Sequence, residues 1–377
     1  MDSRREFLKK ILLFSGAAGL SNSVPAAIQK ALAIDPAPGS TFLDAEHVVI
    51  LMQENRSFDH CFGTLRGVRG FNDRHVFQLP GKNLVWLQSD KEGNTYTPFH
   101  FDIRDTKATW MGSIPHSRSS QVDAFNGGRY NKWIDSKRSG NKKYSKIPLT
   151  MGYYNRNDIP FNYAMADAFT ICDQNFCSAM TSTWPNRLYL WGGTLRGEKS
   201  MDSKAYIRNN IPWGEATWET FPEILEKNEI SWKVYQNELS NGGGFKGEER
   251  SWLDNFGCNP LEQQAQFNSR FSTRYVNTLK ALTVTLPDEI STLERDFEAM
   301  QPDDNNYEKK KKEISKKKEV LADAIQQLQA WSPENFDKLS PYQKNLFEKA
   351  FTTNTGDPDY LSLTSLVYDD EGTEREV

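Results

Sequence analysis

The sequence predicts an α/β fold in which a largely parallel sheet is covered by helices. The apolar run from Val48 to Met52 has no polar face, which is typical of a strand buried on both sides of such a sheet. Segments 158–173 and 216–235 each contain a helical pattern followed by a short strand, and this alternation indicates the same architecture. With 377 residues, the chain is long enough to bury a substantial core.

The charge of the chain limits the classes of partner. The formal net charge is −4, and the sequence contains no basic stripe of the kind that follows a nucleic-acid backbone. A mean hydropathy of −0.69 indicates a large solvated portion. Nucleic acid is therefore excluded as the expected partner.

Residues 1–33 have the pattern of a twin-arginine signal peptide. Arg4 and Arg5 precede a short apolar run at 11–20, and Ala31-Leu32-Ala33 offers a small-x-small cleavage site. An anchored N-terminal helix is the alternative, but the apolar run is interrupted by glycine and is too short to span a bilayer. We therefore expect export by the twin-arginine machinery to the periplasm or the medium.

Four cysteines follow the predicted leader. An oxidising compartment permits disulfides, and buried free thiols are equally compatible with the sequence. The four are Cys61, Cys172, Cys177 and Cys258.

Glu54 and Asn55 directly follow the predicted strand. Ligands in open parallel sheets bind beyond the carboxyl ends of the strands, so both side chains are expected at a site. A carboxylate and a carboxamide supply oxygen ligands suited to a divalent cation. The alternative is a helix start, in which Asn55 or Ser57 caps the helix and Glu54 lies near its positive end.

The segment around Thr183 predicts a second site. Pro185 suits the first turn of a helix that runs to about Trp191 and ends at Gly192-Gly193. Thr183 then lies at or just before the N-cap, where free backbone N–H groups bind phosphate and favour an alkoxide. Alternatively, Thr183 only caps the helix.

Further segments complete the organisation. Residues 76–110 predict a small antiparallel insertion. Asp158 and Pro160 indicate the start of a helix whose apolar face is expected to contain Phe161, Ala164, Met165 and Ala168. His116, in a loop, is a candidate phosphate or metal contact, although a lone loop histidine is more often a surface or packing residue.

A charged helical hairpin is predicted at 285–350, where apolar residues recur at helical spacing on a lysine-rich background. Its lysine run is either a solvated face or a membrane-surface contact. Segment 351–377 ends in a predicted β-hairpin with Asp369-Asp370-Glu371-Gly372 at the turn.

Five motifs in one chain resemble those of the bacterial phosphocholine-specific phospholipases C. That family, together with related acid phosphatases, forms a phosphoesterase branch of the alkaline phosphatase superfamily. The resemblance extends from the leader to about residue 240. The motifs are Gln53-Glu54-Asn55-Arg56-Ser57-Phe58-Asp59-His60, Met151-Gly152-Tyr153-Tyr154, Asp158-Ile159-Pro160, Thr183-Trp184-Pro185-Asn186-Arg187 and Trp218-Glu219-Thr220-Phe221-Pro222.

The resemblance implies an alkaline-phosphatase-like sheet flanked by helices and assigns roles to four residues. Glu54 and Asn55 match the metal-binding positions, Thr183 matches the nucleophile, and Asn186 is expected to donate to phosphoryl oxygens. Thr181 and Ser182 stay open as alternative nucleophiles. The implied substrate is phosphatidylcholine, cleaved to diacylglycerol and phosphocholine with a divalent metal whose identity the sequence leaves open.

The chain also departs from the family. Members carry a later metal-binding cluster with histidine, whereas this sequence has no histidine after His116. The expectation from sequence is thus the N-terminal part of a phosphoesterase catalytic domain at 34–284, the hairpin at 285–350, and at 351–377 the start of a truncated segment. Little activity is expected from such a chain alone. The alternatives are an exported acid phosphatase acting on monoesters and a non-catalytic exported binding protein.

Overall fold

The computed structural model describes residues 25–35, 37–106, 113–198, 200–240, 254–354, 367–370 and 373–376. The chain divides into an N-terminal unit, Met1–Met180, and a C-terminal unit, Thr181–Val377. The twin-arginine motif at Arg4-Arg5 and the glycine-rich loop at 241–244 lie outside the described residues.

The N-terminal unit combines short helices with pairs of very short strands. Its elements are α1 (Ala26–Ala33), α2 (Phe58–Phe62), β1 (Gln88–Ser89), β2 (Thr95–Tyr96), β3 (Phe99–His100), α3 (Arg118–Phe125), α4 (Trp133–Ser136), β4 (Gly152–Tyr153) and α5 (Pro160–Ala168). Strands β1 and β2 pair in antiparallel fashion, which confirms the predicted antiparallel segment within 76–110.

The parallel pair β3 and β4 fixes the position of the 151–154 motif. Phe99 lies opposite Gly152, and His100 lies opposite Tyr153. A Cβ atom at Gly152 would lie 1.9 Å from Cε2 of Phe101, so this close approach of two strands requires glycine. Phe101 and Tyr154 are buried in the same cluster.

Helix α5 begins at Pro160, as predicted, but its buried face agrees with the predicted one only at Ala164. Tyr163, Ala164 and Ala166 are buried, whereas Phe161 is 51% and Met165 is 43% exposed. Tyr163 packs against Leu65, which follows α2 in the chain. The face was wrong because nearly every residue of this helix is apolar, so periodicity alone does not select one side.

The C-terminal unit is mainly helical. Its elements are α6 (Thr183–Gly192), α7 (Phe221–Lys227), β5 (Tyr235–Gln236), α8 (Thr273–Glu298), α9 (Tyr307–Ala330), α10 (Pro333–Asp337), α11 (Pro341–Ala350), β6 (Thr352–Thr353), β7 (Val367–Asp370) and β8 (Thr373–Glu376). Helix α7 begins with a capping box between Thr220 and Glu223, with Pro222 in its first turn.

Two apolar clusters hold this unit together. One centres on Leu188, which is fully buried in α6, with Leu195, Tyr206 and Ile211 around it. The other joins α11 to the residues that flank it in space: Leu239, Leu261, Phe267, Leu346, Ala350 and Phe351.

Helices α8 and α9 pack side by side in opposite directions. Lys310 pairs with Asp296 at 2.9 Å and Lys317 pairs with Glu289 at 2.6 Å, so the two helices run antiparallel. Ile290 and Ile314 are buried on the facing sides. Part of the lysine run is therefore ion-paired within this helix pair.

The predicted buried strand after His47 is wrong for this chain. Residues 47–54 have no regular secondary structure, and Val48, Val49, Ile50 and Leu51 are each 70–89% exposed. A strand needs hydrogen-bonding neighbours, which an apolar run does not supply by itself. Within the described ranges the strands form four separate two-stranded pairs, so the large sheet stays a prediction.

The last described segment agrees with the predicted hairpin. Val367–Asp370 pairs antiparallel with Thr373–Glu376, and the connecting residues 371–372 lie outside the described part. No described helix is both long enough and apolar enough to cross a membrane.

Candidate active site

Helix α6 begins at Thr183, so Pro185 lies in its first turn, as predicted, and Thr183 is one position further into the helix than predicted. Ser182 is the N-cap residue, and Gly193 ends the helix with φ +65°, a conformation that favours glycine. Thr183 is thus the first helical residue, and its backbone lies at the positive end of the helix dipole.

The helix is fixed by contacts along its length. The Trp184 backbone N–H donates to Oδ1 of Asn209 at 2.9 Å. The buried Arg187 donates from Nη1 to the Cys258 carbonyl at 2.7 Å. A Cβ atom at Gly257 would lie 2.4 Å from Cζ2 of Trp184, so the indole packs directly on this glycine. These contacts hold the first turn of α6 in one position.

Three neighbouring hydroxyl groups differ in their accessibility. Thr181 is buried and donates its hydroxyl to the Ile207 carbonyl at 2.6 Å. Ser182 is buried as well, whereas Thr183 is half-buried. A nucleophile must reach its substrate, so this difference favours Thr183 over its two neighbours.

Asn186 lies one turn into α6, on the side of the N-cap. Its Nδ2 donates to the Ser182 carbonyl at 3.1 Å. A carboxamide carries two N–H donors, and this bond uses one of them. The amide is thereby held beside the start of the helix.

Glu54 and Asn55 lie in an exposed segment directly before α2. The helix is capped by Ser57, whose Oγ accepts from the His60 backbone N–H at 3.3 Å. Of the two capping residues that the sequence left open, Ser57 is the one used. Asn55 remains outside the cap, which leaves the ligand interpretation open for it.

Helix α2 is tied to the 151–154 motif through His60. The His60 Nδ1–H donates to the Gly152 carbonyl at 2.7 Å, and Nε2 accepts from Nη1 of Arg56 at 3.0 Å. The Tyr154 backbone N–H donates to the His60 carbonyl at 2.8 Å. Burial lowers the pKa of His60, and the positive charge of Arg56 acts in the same direction. Both contacts require a neutral imidazole ring in His60, because Nδ1 donates a proton and Nε2 accepts one.

The carboxyl group of Asp59, in the same helix, has a strongly shifted pKa. Burial raises its pKa to about 6. Its Oδ1 atom is buried and has no hydrogen-bond partner among the described residues. The sequence placed both Asp59 and His60 in a motif but gave neither a role, since the contacts of His60 are with residues about 90 positions away and the burial of Asp59 depends on the fold.

A second histidine contact lies on strand β3. His100 donates from Nε2 to Oδ2 of Asp158 at 2.7 Å, and the Asp158 side chain is only 2% exposed. Burial opposes ionisation of Asp158, but hydrogen bonds from the backbone N–H groups of Asn155 and Ile103 and from His100 lower its pKa. Asp158 therefore fixes the chain just before helix α5. The candidate His116 lies exposed, with Nδ1 3.1 Å from the Ile114 carbonyl.

Glu54 and Asn55, the predicted metal ligands, need further ligands around them to hold a cation. One carboxylate and one amide oxygen have the right chemistry for a hard divalent cation, but such a cation takes about six or more oxygen ligands. In the part of the chain that the structure describes, no three His, Cys, Asp or Glu side chains come together to hold a metal ion. The described residues thus supply an incomplete set of ligands for a divalent cation.

The four predicted site residues fall into two groups. Glu54 and Asn55 belong to the N-terminal unit, and Thr183 and Asn186 belong to the C-terminal unit. Within each group the side chains are neighbours in the chain, and the second group shares one helix turn.

Comparison with known proteins assigns this arrangement to a family. Residues 45–336 match the model of the Phosphoesterase family, so the chain belongs to that family. This region contains both groups of predicted site residues.

Several bacterial phospholipases C are similar to this chain. The chain is 40% identical over 265 residues to the non-hemolytic phospholipase C of Pseudomonas aeruginosa, which covers 69% of this chain and 35% of that protein. It is 39% identical over 285 residues to phospholipase C A of Mycobacterium tuberculosis, covering 68% of this chain and 53% of that protein. The resemblance inferred from the motifs is confirmed, and the matched segment spans between about a third and a half of these relatives.

Proposed function

We propose that this protein takes part in phosphoric diester hydrolysis of the phospholipase C type, with phosphatidylcholine as substrate and Thr183 as nucleophile. The observation that supports this most directly is the position of Thr183: a half-buried hydroxyl on the first residue of an anchored helix, within a family region shared with phospholipases C. A helix N-terminus favours phosphate and the negative charge of an alkoxide.

The chemistry follows two steps. The Thr183 oxygen attacks phosphorus, the bond from phosphorus to the glycerol oxygen breaks, and the hydroxyl proton ends on the departing diacylglycerol. Water then attacks the phosphorus of this phosphocholine ester of Thr183, which releases phosphocholine and restores the threonine. Asn186 is proposed to donate to a phosphoryl oxygen, a role in which fixed position matters more than charge.

Glu54 and Asn55 are proposed as part of a divalent-cation site that supplies Lewis-acid chemistry to the phosphoryl group. The remaining ligands would come from outside the described residues. Arg56 and His60 support this segment by tying it to Gly152.

The twin-arginine leader at 1–33 is likewise part of the proposal, and the corresponding location is the periplasm or the medium. Both are places where an enzyme meets phospholipid. The two predicted partners are therefore the export machinery and the phospholipid substrate.

The test uses mass spectrometry after brief incubation with a phosphocholine diester and a divalent metal. The mass of phosphocholine, that is the phosphoryl group with its choline ester, is expected on the peptide that contains Thr183. Thr183→Ala is expected to abolish the adduct, because the nucleophile is removed. The adduct rather than turnover is the measurement, since little activity is expected from this chain alone. Thr183→Ser should retain the adduct.

Thr181→Ala is the matched control, since it removes a neighbouring hydroxyl that is already bonded to Ile207. An adduct that persists in Thr183→Ala and disappears in Thr181→Ala would transfer the role to Thr181. Faster turnover of a simple monoester than of the diester would contradict the phospholipase assignment in favour of a phosphatase.

A further inference from the structure

The N-terminus of α6 is capped by a residue from another segment of the chain. Ser182 occupies the N-cap position, but its side chain forms no capping hydrogen bond. An N-cap side chain ordinarily accepts from the N–H of the second or third helical residue. Here the third is Pro185, which has no N–H, and the N–H of the second, Trp184, donates to Oδ1 of Asn209 at 2.9 Å. Asn209 therefore caps the helix in place of Ser182.

The segment that carries Asn209 is held against α6 on both sides. Tyr206 and Ile211, which flank it in the chain, are buried in the apolar cluster that α6 also joins. Between them, the Ile207 carbonyl accepts from the Thr181 hydroxyl at 2.6 Å. These anchors reduce the conformational entropy that is lost when Asn209 is ordered. The carboxamide is thus held in a fixed position at the start of the helix.

The orientation of the Asn209 carboxamide follows from its bond to α6. A backbone N–H can donate only to the oxygen of the amide, so Oδ1 points to the helix and Nδ2 is the other end of the group. The Asn209 side chain is exposed, and Nδ2 donates to none of the described residues. Its two N–H groups are therefore open to solvent beside the first turn of the helix that begins at Thr183.

The backbone at this helix start supplies fewer donors than helix N-termini ordinarily do. Such termini bind phosphate through free N–H groups, but Pro185 has none and that of Trp184 is engaged. A phosphoryl group that meets the Thr183 hydroxyl therefore needs donors from side chains. Asn186 is held on this turn by α6 itself, and Asn209 reaches the same turn from a different segment.

We propose that Asn209 is a further catalytic residue, which donates from Nδ2 to a phosphoryl oxygen of the phosphodiester while its Oδ1 stays on the Trp184 N–H. A fixed neutral donor stabilises the negative charge on the phosphoryl oxygens in the transition state without having to move. The amide neither gains nor loses a proton, so the balance of the two reaction steps is unchanged. The role rests on the proposed function, since it requires a phosphodiester at Thr183.

The test is binding of phosphocholine to the full chain, followed by calorimetry and by NMR with isotope-labelled asparagine. We expect phosphocholine to shift the side-chain NH2 signal of Asn209, which is identified by its loss in Asn209→Asp. That substitution keeps an oxygen for the Trp184 N–H but replaces both donors with a negatively charged oxygen. The affinity for phosphocholine should fall at least about ten-fold, while the melting temperature stays close to that of the wild type.

Two further variants serve as comparisons. Asn209→Ala removes the donor and the cap together, so it should lower both the affinity and the melting temperature. Asn210→Asp is the matched control, since it adds the same charge at the neighbouring exposed asparagine. It should change the affinity by less than about two-fold at physiological ionic strength, because an exposed charge that does not contact the ligand acts only weakly through water.

Three results would overturn the proposal. The first is wild-type affinity for phosphocholine in Asn209→Asp, because aspartate caps a helix as well as asparagine does and a purely capping role would then suffice. The second is an Asn209 signal that does not move while phosphocholine binds. The third is the lack of any binding of phosphocholine at millimolar concentration.

Failure of the proposed nucleophile is a separate outcome. Thr183→Ala keeps both Asn209 donors, so it should still bind phosphocholine although it forms no adduct. If the wild-type chain forms no adduct on Thr183 but binds phosphocholine with the expected dependence on Asn209, the nucleophile is wrong and the Asn209 contact stands.

Discussion

The Thr183 helix and the Glu54 segment carry the two main motifs of this chain, yet only the helix is fully formed. Helix α6 has its N-cap, its glycine C-cap and a fully buried Leu188 within one unit. The segment before Glu54 has exposed apolar side chains and an unpaired backbone within the described residues. The backbone of a helix forms its hydrogen bonds within one segment, whereas the backbone of a strand forms them with other segments.

The largest expected effect comes from core residues on the two sides of this comparison. Leu188→Ala should lower the free energy of unfolding of the C-terminal unit by about 3 kcal/mol, because it leaves a cavity in a fully buried cluster. Val49→Ala should change the free energy of unfolding by less than about 0.5 kcal/mol, since that side chain is already in water.

Urea unfolding followed by tryptophan fluorescence and amide exchange measures both variants. A loss of stability for Val49→Ala as large as that for Leu188→Ala would mean that segment 47–53 is packed in solution. That result would contradict the difference between the packed helix and the exposed segment.

A smaller effect is expected at the end of helix α6. Gly193→Ala forces a Cβ atom into a left-handed conformation, which should cost about 1–2 kcal/mol, although no atom lies within 4 Å of the added group. Gly197→Ala is the control, because that glycine also has open space and does not adopt a positive φ. Thermal melting of the two variants distinguishes backbone strain at a positive φ from the effect of an added methyl group alone; equal melting temperatures would contradict the strain.

The smallest effect concerns Asp59, on the other side of the comparison. Its folded pKa of about 6 lies above the usual 3.8, so the folded state holds the proton more firmly than the unfolded state. Stability should therefore fall as pH rises from about 4 to 6, and Asp59→Asn should remove this fall. Because the group is partly solvated, the expected gain for the variant at pH 7 is only ~1 kcal/mol.

Urea midpoints at pH 4 and pH 7.5 provide the measurement for Asp59→Asn. The exposed Asp105→Asn is the control and should leave the pH dependence unchanged. A wild-type stability that stays flat across this interval would place the Asp59 carboxyl in water rather than in a buried position.

Local elements of the fold were predictable because their causes are local. Pro160 opens α5, the capping box at Thr220 opens α7, and Gly193 ends α6, each within a few residues of the feature it controls. The motifs around Glu54 and Thr183 gave the family, which the family comparison confirms.

Contacts across long sequence distances could not be predicted. The bond between His60 and the Gly152 carbonyl, and that between His100 and Asp158, join residues separated by 92 and 58 positions. The sequence also suggested a buried strand at 47–52, although burial depends on which other segments lie beside it.

The sequence by itself determined the start of α5 at Pro160, the end of α6 at Gly193, the family and the chemical types of the candidate residues, because these depend on neighbouring residues and on side-chain identity. Tertiary structure decided which of the hydroxyl-bearing residues 181–183 is accessible, in which direction the pKa of Asp59 shifts, and whether the apolar run at 48–52 is buried. Each of those depends on burial, and burial is set by residues that are distant in the chain.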